Sequence, residues 1–325
     1  MTKNTAFVTG GTGFVGANLI RLLLAEGYKV KALVRPESQL DNLHGLNVEI
    51  VTGNLLDENL SDKIQGCDIL FHVAALYSLF QADKNAVYRY NVDGTKNILQ
   101  AAKKAHIQRT VYTSSVAAIG VKENAIADES YQSPLEKLIG HYKKSKFLAE
   151  QEAIKAINNG QDIVIVNPST PIGGYDIKPT PTGDIILRFL QRKMPFYMDT
   201  GLNFIHVQDV VKGHLLALEK GKTGERYILG NQNMTLKELL DQLGEITGLK
   251  SPKYAVPGWL PLTVAYIEEN ILSLFGKKPS IAIDGVRMAG QKMYYNSGKA
   301  IRDLGLPQTP INIALQDAVN WFKNN

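Results

Sequence analysis

The stretch Val8-Thr9-Gly10-Gly11-Thr12-Gly13-Phe14-Val15-Gly16 limits what this chain can fold into more than any other part of it. It follows the apolar run Ala6-Phe7-Val8 and opens a helical pattern from Ala17 to Glu26 that Gly27 closes. Gly10 permits the tight turn between strand and helix. Gly13 lets a pyrophosphate approach bare backbone, and Gly16 lets the helix pack on its sheet. The N–H groups and dipole at the helix start then attract phosphate. A strand, this spacing and a helix in succession predict a dinucleotide-binding turn. The alternative is a tight turn that binds nothing.

Short β-branched runs at Val30 to Val34, Val48 to Val51, Ile69 to Val73, Thr110 to Thr113 and Ile163 to Val166 alternate with helical segments, the longest from Asn91 to Ala105. That alternation predicts right-handed βαβ units, and so an α/β fold with a Rossmann-type doubly wound parallel sheet. Past Pro168 the texture changes. Pro168 to Gly183 holds four prolines and three glycines and reads as an irregular loop beside a cleft. Leu236 to Thr247 is an amphipathic helix with Thr235 as N-cap and Gly248 as its stop, and Ile311 to Phe322 reads as a terminal helix. The expected organisation is a nucleotide-binding domain over 1–168, with part of 205–230, and a smaller, mainly helical substrate domain over 169–204 and 231–325.

Composition narrows the class. The chain has 325 residues, 44% apolar and 21% charged, which suits an ordinary globular core. Its single cysteine, Cys67, allows no internal disulfide and no cysteine-built zinc site, favouring a reducing compartment. Histidines and carboxylates show no metal-ligand spacing, so no metal is expected. The 36 basic residues against 31 acidic ones are scattered in pairs such as Lys103-Lys104 and Lys277-Lys278, which does not indicate nucleic-acid binding. Met1-Thr2-Lys3-Asn4 run straight into the first strand, leaving no room for a signal peptide, and Glu268, Glu269 and Asn270 interrupt the most apolar stretch, Trp259 to Phe275. A cytoplasmic protein without a spanning segment is expected.

The second strand decides the cofactor. An NAD site ends that strand with an acid for the ribose hydroxyls, and an NADP site carries a nearby arginine. Here it ends Leu33-Val34-Arg35-Pro36, so Arg35, assisted by Ser38, predicts a 2′-phosphate partner and NADP(H) over NAD(H). A solvated strand-end arginine is the alternative. Farther on, Tyr142 and Lys146 stand four residues apart, on one face of a helix. Lowering a phenol from about 10 to about 7 takes ~4 kcal/mol, which an ammonium and an oxidised nicotinamide ring together can supply. Tyr142 then exchanges a proton with a substrate oxygen while hydride moves at the adjacent carbon, and Lys146 also holds the cofactor ribose. Ser114-Ser115 emerge at the carboxyl end of Thr110 to Thr113, where Ser115 can orient that oxygen.

The glycine loop, Ser115, Tyr142 and Lys146 resemble the extended short-chain dehydrogenase/reductases, and within them the dihydroflavonol reductase-like group and the hopanoid-associated sugar epimerases. Further matching runs are Phe71-His72-Val73-Ala74-Ala75, Asn91-Val92-Asp93-Gly94-Thr95, Tyr112-Thr113-Ser114-Ser115, Asn167-Pro168-Ser169-Thr170 and Gly224-Glu225-Arg226-Tyr227. The resemblance implies a Ser115-Tyr142-Lys146 triad. It implies a cofactor held by Thr9, Gly10, Gly13, Phe14, Val15, Gly16, Leu55, Val73, Ala74, Ala75, Thr113, Tyr142, Lys146, Pro168 and Ser169. It also implies a homodimer built on the long helices around Asn91 and Tyr142. One departure is Asn54-Leu55-Leu56-Asp57, where the family carries Asp-Leu-x-Asp near the adenine. Asn54 can accept from the adenine amine through its carbonyl, without charge.

The function expected is an NADP(H)-dependent oxidoreductase that reduces a ketone, or oxidises a secondary alcohol, of a small substrate. A nucleotide-sugar epimerase or dehydratase with tightly held cofactor is one alternative, and a cofactor-sensing binding protein without turnover is another. His206 is expected to be structural, before a helix that Asp209 caps, and His72 a hydrogen-bonded core residue. Trp259 to Phe275 reads as a buried helix or a cleft wall rather than a membrane contact. Tyr77, Phe80 and Tyr175 form an aromatic wall or are simply buried.

Overall fold

The computed structural model describes residues 4–274 and 282–325. Seven strands make one parallel sheet: β1 (Thr5–Thr9), β2 (Lys29–Val34), β3 (Glu49–Thr52), β4 (Ile69–His72), β5 (Arg109–Thr113), β6 (Ile163–Pro168) and β9 (Arg226–Leu229), in the order β9-β6-β5-β4-β1-β2-β3. Every residue of β4 and β6 is buried, as in a parallel sheet covered on both faces. One face packs α1 (Phe14–Ala25) and α6 (Val207–Lys220) around Leu19, Leu23, Val210 and Leu215. The other packs α2 (Gly94–Lys104) and α4 (Gly140–Asn158) around Ile98, Leu99, Ala149 and Ala153. Strand order reverses between β1 and β4. In an open α/β sheet that reversal leaves a crevice at the carboxyl ends, and ligands bind there.

The breaker-rich segment is more regular than its composition predicts. β7 (Thr170–Ile172) pairs in parallel with β8 (Gly201–His206), and α5 (Pro181–Leu190) starts at a proline. Both fit where proline is tolerated. Pro171 lies in a strand with β8 on one side only, and Pro181 takes the first helical position after Thr180, whose side chain caps Gly183 N–H. β10 (Gln232–Thr235) and β11 (Lys292–Met293) complete this small sheet. α5, α7 (Leu236–Thr247) and α10 (Ile311–Asn324) close a separate apolar cluster around Phe189, Leu239, Leu243 and Leu315. Thr235 and Glu238 form a reciprocal capping box at the start of α7, and Gly248 ends it at φ +74.

Three local expectations need correction. The helix expected from Asn91 is already turning at Lys84–Tyr88 and passes through a wide π turn, Arg89–Asp93, before α2. That irregular turn carries Asn91, whose side chain bonds both N–H and C=O of Leu76. At α6 the cap is His206, whose Nδ1 accepts from Gln208 N–H, while Asp209 instead accepts from Thr309 N and Oγ1. The expected aromatic wall is dispersed: Tyr77 faces the crevice, whereas Tyr175 packs between Trp321 and Arg21. α8 (Trp259–Leu274) offers Pro261 to the crevice but leaves Trp259 and Leu260 exposed; Phe275, Lys277 and Lys278 lie outside the described residues. Among the described residues no helix is long and apolar enough to cross a membrane.

Candidate active site

At the switch point lies a cavity of about 1150 Å³, walled on one side by the glycine loop and on the other by α4 and the loop after β6. Gly13 N–H closes the loop onto Gly10 C=O at 3.0 Å. Gly10 sits at φ +74, and a Cβ there would come within 2.7 Å of the Ala74 backbone; one on Gly16 would run into the Gly10 carbonyl. The loop is therefore shaped around missing side chains, with the α1 N-terminus behind it, and this cradle fits a pyrophosphate. Gly10→Ala is expected to destabilise the fold by about 1–3 kcal/mol through its left-handed backbone. It should also weaken dinucleotide binding, read by urea melts and a fluorescence titration.

A polar relay fixes the neighbouring strand ends. Ala74 N–H donates to Thr9 Oγ1, which lies 2.8 Å from His72 Nδ1, and His72 Nε2 lies 3.0 Å from Thr95 Oγ1. Burial pulls His72 down to about 3, so it stays neutral and acts as a linker, as expected of a core histidine. The relay holds Val73, Ala74 and Ala75 on the cavity wall.

Thr9, Gly10, Gly13, Phe14, Val15, Gly16, Arg35, Asn54, Leu55, Val73, Ala74, Ala75, Ser115, Tyr142 and Ser169 all line this one cavity, and so does Ser38. Arg35 is half exposed at its rim, 3.3 Å from Glu37 and 6.0 Å over the Tyr90 ring. Ser169 Oγ is buried there without a hydrogen-bond partner, a further fit to a polar ligand group. Asn54 is more committed than its sequence suggests. Its carbonyl accepts from Leu56 N–H at 3.1 Å, and its amide lies 3.4 Å from Tyr90 OH. Asp57 instead pairs with Lys63 at 2.5 Å, and these contacts hold its carboxyl below the usual range.

Thr113, Lys146 and Pro168 do not reach the cavity wall. Pro168 is buried in β6, and Thr113 Oγ1 bonds His214 Nε2 at 2.9 Å. The Lys146 ammonium, 2% exposed, donates to Thr113 C=O at 2.9 Å, and burial pulls it down to about 8. Burial pushes Tyr142 up to about 12, and the Ser115 hydroxyl pulls it the other way. Ser115 is itself the N-cap of the short helix Val116–Ile119, accepting from Ala117 N–H at 3.1 Å. The Tyr77 ring meets Tyr142 edge-on at 4.6 Å.

Sequence reasoning passed over the residues that hold this pair. Asn167 donates to Ser115 C=O at 3.0 Å and to the fully buried Glu150 at 2.9 Å, and Glu150 pairs with Arg226 at 3.1 Å. Asn91 donates to Ser145 Oγ at 2.9 Å, one turn along from Tyr142. The available signal was polar side chains inside apolar runs, such as Asn167 in Ile163-Val164-Ile165-Val166-Asn167. Lys143, buried beside Tyr142, was also missed.

Known proteins resemble this chain in sequence and fold. A Synechocystis protein named provisionally as a dihydroflavonol 4-reductase is 62% identical over 98% of this chain and 94% of its own. The sterol demethylase protein B of Methylococcus capsulatus is 34% identical over 98% of both chains. The crystal structure of gox2253 superposes with a TM-score of 0.88 at 41% identity, covering 99% of this chain and 98% of that one. Residues 6–230, from the first strand through the last strand of the parallel sheet, match the NAD-dependent epimerase/dehydratase family. With its glycine cradle, reversed strand order and shared cavity, this chain belongs to that family and is an NAD(P)-dependent enzyme of the extended short-chain dehydrogenase/reductase type.

Proposed function

We propose that the chain is an NADP(H)-dependent ketone reductase, reversible to secondary-alcohol oxidation, working through Ser115, Tyr142 and Lys146. The observation that carries this reading is that Ser115 and Tyr142 both stand on the wall of the cavity that the glycine loop also lines. The nicotinamide supplies the hydride when bound. Ser115 donates a hydrogen bond to the substrate carbonyl oxygen, and Tyr142 gives that oxygen its proton. A phenol pushed up to about 12 holds its proton at neutral pH, which is the state that reduction requires. Lys146 acts from behind, fixing the end of β5 through Thr113. Glycine loop and sheet form the cofactor domain in this reading, with 169–204 and 231–325 shaping the substrate side.

Reduction of an apolar ketone is favoured over nucleotide-sugar epimerisation by the hydrocarbon and thioether surface that Ile185, Met194, Leu202, Met288 and Met293 give the substrate side of the cavity. A screen of ketones with NADPH, followed at the nicotinamide absorbance band, tests this. Steady consumption supports the reading. Sugar-nucleotide interconversion without net absorbance change overturns it.

Arg35 at the rim supports NADPH over NADH. Arg35→Ala is expected to weaken NADPH by about ten- to a hundredfold, the loss of a charge-assisted hydrogen bond, and NADH by far less. Equal losses in a titration with both cofactors would refute the preference.

A further inference from the structure

Lys143 follows Tyr142 on α4 and is 6% exposed. Its ammonium lies 3.5 Å from the thioether of Met293, a weak acceptor. Burial alone shifts it, pulling it down to about 8, with no described carboxylate offsetting the charge. Folds rarely keep a buried ammonium that way without a use for it. Its position suggests the use. The side chain forms part of the wall of the main cavity and also of an adjoining pocket of about 180 Å³, lined by Tyr131, Ser133, Lys137 and Gln291, with exposed Glu123 among them. Leu79, Met288 and Met293 line the main cavity with it, and another lysine of that wall, Lys178, is exposed. One buried positive charge in the wall of the cavity that Tyr142 also lines matches one negative charge on an otherwise hydrocarbon substrate.

We propose that Lys143 anchors a carboxylate, so that the substrate is an apolar cyclic or chain ketone carrying one acid group. This rests on the ketone-reductase reading of Tyr142 and narrows it. A neutral ketone fills the same apolar volume but leaves the ammonium facing only sulfur.

Camphor and ketopinate test it, being the same bicyclic ketone without and with a carboxylate. Each is titrated calorimetrically into the NADPH-loaded protein. The wild type is expected to bind ketopinate about tenfold or more tightly than camphor, the worth of a charge-assisted hydrogen bond in a dry site. Lys143→Met should abolish that preference, Lys143→Gln should do the same while keeping a polar group of similar reach, and Lys143→Arg should retain part of it. Equal binding of both ketones by the wild type overturns the proposal. So does failure of ketopinate to bind, or a loss in Lys143→Met and Lys143→Gln that is the same for both. The reductase reading is judged separately, by NADPH consumption. An acid preference without consumption of NADPH by any ketone removes that reading and leaves the anchor standing.

Discussion

Tyr142→Phe is expected to lower kcat for ketone reduction by about 10²–10⁴-fold, the usual worth of a positioned proton donor, while NADPH binding persists. The substitution keeps the ring and its edge-on contact with Tyr77 at 4.6 Å, and removes only the hydroxyl. Ser115 still caps Val116–Ile119 through Ala117 N–H, so the wall keeps its shape. Single-turnover absorbance at the nicotinamide band reads the chemistry, and a fluorescence titration reads the binding. A kcat within about tenfold of wild type would mean that another group delivers the proton. His206 is poorly placed to do so, since its Nδ1 caps α6 and its Nε2 faces Asp317 at 3.6 Å.

Local chemistry explains which parts of the molecule were legible in the sequence. The glycine loop was legible because each glycine answers a steric demand that acts within a few residues or against the next strand, such as Gly10 against Ala74. The parallel sheet was legible because strands buried on both faces are continuously apolar, as β4 and β6 are. Thr235 and Gly248 were legible for the same reason, since caps are local.

What escaped depends on contacts between distant segments. Asn54 looked free to meet an adenine, but its partners are Leu56 two residues on and Tyr90 on a separate helix. Tyr142 and Lys146 share a helix face, so spacing alone pairs them. Yet the Lys146 ammonium is taken by Thr113 of β5, and the hydroxyl that tunes the phenol belongs to Ser115 of the following loop. Pro171 and Pro181 were read as breakers because composition does not reveal an edge strand or a first helical turn. Lys143 was invisible for a related reason: a lysine in Tyr142-Lys143-Lys144-Ser145-Lys146 reads as solvated until Met293, from far along the chain, covers it.

That covering has a thermodynamic consequence. A fall in the Lys143 pKa from its ordinary 10.5 to about 8 corresponds to roughly 3 kcal/mol of destabilisation at neutral pH. Below about pH 8 the ammonium is charged in both the folded and the unfolded chain, and the folded one bears the full desolvation penalty. Between about 8 and 10.5 the folded chain has released the proton that the unfolded chain keeps, so stability rises with pH across that window. Lys143→Met has no such group, and its side chain suits a site already in contact with Met293. The variant is therefore expected to be more stable than wild type by roughly 3 kcal/mol near pH 7, with the gap closing as pH approaches 10.5. Lys146 is also lowered to about 8, but it is present in both proteins and cancels in the comparison. The ionisable neighbours in the side pocket, Lys137 and Glu123, are exposed and common to both chains. Urea melts of the two proteins across that range measure the difference directly. A variant less stable than wild type at neutral pH would show that the ammonium has a structural partner, and a gap independent of pH would show that its charge is not what the fold is carrying.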